Sequence, residues 1–126
     1  MTANELRIGN YIKLMLNHED YETLQVTSDE LVMVDKKQAD YEPLRLTEEW
    51  LLKFEFYKVK NSSSRYSYRD GNWLFNNFWI DKNFEPCVEN YGDDCMDVIG
   101  VKLDYVHQLQ NLYFALTGEE LNISWN

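Results

Sequence analysis

In the segment YVHQLQNLYFALTGEEL, His107 and Asn111 stand one helical turn apart, a spacing at which an imidazole and an orienting amide could serve a thiol nucleophile. Cys87 and Cys95 are the chain's two thiols, and neither lies in the local sequence that accompanies a thiol enzyme. The plainer expectation is that His107, Gln110 and Asn111 face solvent, bond a neighbouring strand or meet a partner. A small hydrolase pairing His107 with a carboxylate or a cysteine is the less economical alternative. Cys87, Cys95, His18 and His107 are nominal zinc donors, but C-x7-C lacks the close paired spacing of zinc knuckles and ribbons. The acidic run from Glu85 to Asp97 lacks the alternating oxygen ligands of a calcium loop. Glycine-rich phosphate loops, nucleophile elbows and paired metal-protease histidines are absent from the sequence. We therefore expect no catalytic residue, no metal and no cofactor.

Two binding chemistries remain. The 126 residues carry 22 acidic and 12 basic side chains, a formal charge of −10. No base occurs between Lys82 and Lys102, where Glu85, Glu89, Asp93, Asp94 and Asp97 fall. A second base-free run, between Lys13 and Lys36, includes Glu19, Asp20, Glu22, Asp29 and Glu30. Such a surface repels phosphates and attracts a cationic protein groove. The expected partner surface is Glu85, Glu89, Asp93, Asp94 and Asp97. Arg65, Tyr66, Tyr68 and Arg69 form the alternative, a basic aromatic patch able to stack and neutralise RNA.

The elements that must position these residues can be read from period and punctuation. LRIGNYIKL alternates as a strand, with Ile8, Asn10, Ile12 and Leu14 on one face. After the turn residues NHED, TLQVTSDELVMVD reads as two short β-type runs broken near Ser28 and Asp29, giving a small meander or half-barrel. LRLTEEWLLKF predicts a helix from about Glu48 to Glu55, with Thr47 as N-cap and Trp50, Leu51 and Phe54 buried. Asp70-Gly71 reads as a two-residue type I′ hairpin placing Tyr66, Tyr68, Trp73 and Phe75 on one face, itself the candidate for burial under a helix. A strand around Phe78 to Ile80 precedes an irregular acidic connection reaching about Gly100. The last helix runs from Tyr105 to Thr117, capped by Asp104 and Gly118, with Tyr105, Leu109, Leu112 and Leu116 as its apolar stripe.

The expected architecture is therefore α+β: one small domain, residues 1–126, of antiparallel strands and two helices, the longer one C-terminal. A hydrophobic content of 44% suffices for such a core without disulfide or metal support. No uncharged apolar run approaches bilayer length and no signal sequence opens the chain, so a cytoplasmic protein is expected, with reduced cysteines and no membrane partner.

NELRIGNYI, PLRLTEEWLLKFEF and YVHQLQNLYFALTGEEL together resemble, in the same order, a group of small proteins common in phages and prophages of Bacteroidota. About a third of the chain carries the resemblance. The sequence departs from the group at Glu55, where the KFGF version of the middle motif has glycine. The resemblance transfers a setting and no catalytic residue: a phage accessory protein acting in the bacterial host cytoplasm. Within that setting it implies a non-enzymatic inhibitor of a host nucleic-acid-targeting effector. The sharpest version is an anti-CRISPR protein against a type VI-B RNA-guided RNase, bound with or without its guide RNA. An RNA-binding phage accessory protein is the alternative from another class.

Overall fold

The computed structural model describes residues 1–37 and 39–123. The protein is α+β, built of antiparallel sheets and a few helices, with the longest helix near the C-terminal end. By its internal contacts the chain forms two compact units, one of Met1–Arg45 with Tyr105–Leu121, the other centred on Leu46–Asp104.

In the first unit, β1 (Tyr11–Met15) lies between β2 (Tyr21–Gln25) and β3 (Tyr41–Pro43), antiparallel to both. The strand expected from Leu6 begins only at Tyr11, because Gly9 turns the chain at φ 99°, a conformation that only glycine adopts without strain. Ile8 is exposed as a result. The second β-type run is a helix, α1 (Ser28–Asp35), so the described residues hold three α-helices where two were expected. Its start was legible: Thr27-Ser28-Asp29-Glu30 is a capping-box sequence, and the Glu30 carboxylate accepts the Thr27 backbone N–H at 3.1 Å. That cap outweighs the β-branched valines that suggested a strand. Leu31 and Val34 then recur at helical spacing and pack on the buried cluster of Leu6, Ile12 and Val26.

The second unit opens with α2 (Glu48–Lys53), where the Thr47 hydroxyl accepts from the Trp50 N–H at 3.3 Å and Trp50, Leu51 and Phe54 are buried as expected. The helix ends in a Schellman arrangement: Phe56 N–H bonds the Leu51 carbonyl and Glu55 N–H the Leu52 carbonyl. Glu55 occupies the left-handed position at φ 71°. Five antiparallel strands follow in spatial and chain order, β4 (Tyr57–Lys58), β5 (Trp73–Phe75), β6 (Phe78–Ile80), β7 (Pro86–Asn90) and β8 (Cys95–Val98). Phe56 packs on Phe75 and edge-on to Phe78 on one face of this sheet.

The two-residue hairpin is displaced from its expected place. Asn76-Asn77 makes it, with both residues at positive φ (46° and 66°) between the paired Phe75 and Phe78. Asp70 has φ −65° and ψ 136° before Gly71 at φ 86°, with Asn72 N–H on the Arg69 carbonyl, which is a type II turn. Consequently Tyr66 and Tyr68 lie on a 3-10 segment, Ser64–Arg69, and not on a strand beside Trp73 and Phe75. The acidic connection is likewise no irregular loop, since it contains β7 and β8.

The last helix is α3 (Val106–Thr117), with Gly118 closing it at φ 76° as expected. Its N-cap is Tyr105, not Asp104: Gln108 reaches back to the Tyr105 N–H at 3.0 Å. The buried face is Val106, His107, Leu109, Gln110 and Tyr113, while Leu116 is 58% exposed. The helix is thus rotated from the leucine stripe toward the glutamine.

Candidate functional site: an acidic hairpin and a polar clamp

All nine expected contact residues belong to the second unit, but they do not make two separate surfaces. β7 and β8 pair in unbroken register, with Val88 opposite Asp97 and Asn90 opposite Cys95. On this hairpin Glu89 turns back toward the 3-10 segment. Its carboxylate accepts from Arg69 Nε at 2.6 Å and from the Tyr68 hydroxyl, and its side chain is 7% exposed. Burial alone would raise the Glu89 carboxyl, but hydrogen bonds from Tyr68, Arg69 and Tyr91 outweigh it and hold the group below the usual carboxylate range. Arg69 also lies 4.2 Å from the Tyr66 ring centre, and Arg65 is 5.4 Å from the same ring. Tyr68 is raised by burial and by Glu89. One acidic candidate is therefore the internal counter-ion of the basic aromatic patch.

The other carboxylates divide by position. Glu85 sits at the opposite end of β7, half-buried, its N–H on the Asp81 carboxylate at 2.9 Å. Asp93, Asp94 and Asp97 gather at the exposed end of the hairpin. Asn90 organises that end: its carbonyl oxygen accepts from the Gly92 and Asp93 N–H groups, and its amide donates to Asp97 at 2.9 Å. A groove of about 330 Å³ runs over Leu74 and Trp79, bordered by Arg69, Glu89 and a 71% exposed Tyr91; the three aspartates do not line it. A larger hollow of about 580 Å³, at the β1–β2 turn of the first unit, contains none of the expected contact residues.

Cys87 and Cys95 are both free. Burial pushes the Cys87 thiol up to about 12, so it is a poor nucleophile at neutral pH. Among the described residues, no group of three or more His, Cys, Asp or Glu side chains is placed to hold a metal ion. No helix among them is long and apolar enough to cross a membrane.

The polar residues of α3 have a different part. Gln110 is fully buried, its carbonyl accepting the Tyr11 N–H at 2.8 Å and its amide donating to the Gly9 carbonyl at 3.0 Å. Asn111 accepts from Asn10 and from Arg7, each at 2.9 Å, and donates to the Glu5 carbonyl at 2.9 Å. Arg7 in turn pairs with Glu120 and covers the Phe114 ring at 4.0 Å. LRIGN and HQLQN are thus halves of one structural clamp. Only Gln110 meets the strand-bonded arm of the expectation, through Tyr11 of β1; the partners of Asn111 precede that strand, and burial excludes the expected solvent exposure for both Gln110 and His107. His107 is 2% exposed, with Nε2 3.8 Å from Glu5 and Nδ1 buried without a hydrogen bond among the described residues.

Against protein-family models, curated proteins and solved structures, the chain gives no match.

Proposed function

We propose that the protein is a phage-type, non-enzymatic inhibitor that binds a cationic surface of a host nucleic-acid-targeting effector through the free end of the β7–β8 hairpin. An anti-CRISPR protein acting on a type VI-B RNA-guided RNase is the leading version. The observation that carries the reading is the exposed set Asp93, Asp94 and Asp97 at the end of a hairpin braced by Arg69 and Glu89. Bracing keeps three like charges together without a base in the segment, which steers a cationic partner toward this end. The resemblance to phage and prophage proteins supplies the setting.

The two alternatives have less support. An RNA platform needs several free guanidinium groups, and Arg69 is bound to Glu89, which leaves Arg65 of the pair. A hydrolase needs an accessible base, and His107 is buried.

The experiment is a pull-down of the tagged protein from a Bacteroidota host lysate, with bound protein and RNA identified separately. The same capture uses a variant bearing Asp93→Lys, Asp94→Lys and Asp97→Lys. Capture of an RNA-guided nuclease by the native chain alone, followed by inhibition of its cleavage, supports the reading. Capture of RNA without protein, or equal capture by the variant, defeats it.

A further inference from the structure

The outer edge of β2 is open. The pairs Asn10 with Val26 and Leu16 with Asp20 are hydrogen-bonded across β1 and β2, so the even-numbered residues of β2 point their backbone groups inward. Those of Tyr21, Thr23 and Gln25 therefore point outward, and no strand among the described residues pairs with them. The other sheet edges are guarded. β3 is short and ends in Pro43, β4 has two residues, and the 3-10 segment packs beside β8. β2 has five residues in full register, without proline, lysine or bulge.

Charge selects the occupant. Glu19, Asp20 and Glu22 are exposed along this edge, and the nearby Lys13 is drawn to Glu42 and the Tyr21 ring. A second copy paired about Thr23 would set the two Glu22 side chains diagonally across the joint, between chains that each carry −10. An extended segment with a cation opposite Glu22 meets no such repulsion.

We propose that β2 is a strand-addition site for an extended segment of another protein, antiparallel to β2 and carrying lysine or arginine opposite Glu22. Backbone bonds at Tyr21, Thr23 and Gln25 hold the segment, and Glu22 chooses its side chains. The site lies in the first unit and does not rest on the hairpin reading.

The test uses the full chain and a blocked peptide of about seven residues that alternates valine or threonine with lysine, against the same peptide with glutamate for lysine. Amide exchange followed by NMR should slow about tenfold at Tyr21, Thr23 and Gln25 at saturation, with little change at Glu22 and Leu24, whose N–H groups already face β1. The glutamate peptide should bind about tenfold more weakly, and Glu22→Lys should reverse that order. Thr23→Pro removes an outward N–H without taking a bond from β1 and should abolish protection. Protection elsewhere, equal binding of both peptides by the native chain, or slow exchange at these amides in a self-associated chain without peptide would overturn the proposal.

Discussion

Glu55 holds a left-handed backbone conformation at the end of α2, a position that ordinarily favours glycine. The turn survives because Leu51 and Phe56 are both buried and their backbone bond closes the helix end, overriding a local preference of about 1–2 kcal/mol. Glu55→Gly should therefore raise stability by about 1 kcal/mol, seen as a higher urea midpoint with unchanged slope; a lower midpoint would mean that the glutamate side chain contributes more than its strain. Gln110→Leu should lower stability by about 1–3 kcal/mol, since it takes the acceptor from the buried Tyr11 N–H and leaves the Gly9 carbonyl to the exposed Gln25 amide, and the same titration checks it. His107 is held below its ordinary range by burial, with the Glu5 carboxylate pulling the other way. The folded chain thus takes up this proton less readily than the unfolded chain. Stability from this group is complete above the unfolded value of about 6.5 and declines as pH falls toward the lower folded value. His107→Gln should flatten that part of the acid slope, and urea midpoints with identical pH slopes in the two proteins would refute the assignment.

Among the elements, the hairpin of β7 and β8 depends on a contact that its own sequence does not advertise. Glu89 ties it to the 3-10 segment through Arg69 and Tyr68, so Glu89→Gln should lower the melting temperature and speed amide exchange in β7 and β8. Exchange in β1 should stay unchanged. If β7 and β8 keep native protection in the variant, the brace is not what holds the hairpin. Because the folded Glu89 carboxyl lies below its unfolded value, its contribution is present above about pH 4.3 and fades as pH falls through the folded value. A charge reversal at Glu89 would disturb this brace, so it is a poor probe of partner contact. Asp93, Asp94 and Asp97 are the better probes.

For the molecule as a whole, net charge governs encounter more than fold. A chain of formal charge −10 should associate with a cationic effector at a rate that falls as salt shortens the reach of its field. Replacing Asp93, Asp94 and Asp97 by lysine should slow association and remove much of its salt dependence, measured as on-rates across a salt series. An unchanged salt slope would place the contact elsewhere. The β2 edge carries a separate charge preference, distinguishable because Glu22→Lys leaves the hairpin carboxylates intact.

Much of this architecture was already determined by local sequence. Thr47 with the spaced Trp50, Leu51 and Phe54 makes α2, Phe78 to Ile80 is a strand, and Gly118 ends the last helix, because caps and period act within one turn. The α1 capping box and the Asn76-Asn77 turn were also written locally, but valine-rich periodicity and the stronger Asp-Gly signal masked them. Tertiary structure alone decided which polar groups are buried. Gln110 enters the interior because the backbone around Gly9, about a hundred residues away in sequence, leaves a donor and an acceptor to be matched. Glu89 leaves the acidic surface because folding brings it to Arg69. Neither pairing has a local signature, since a hydrogen bond between distant segments depends on geometry that only the assembled strands and helices create.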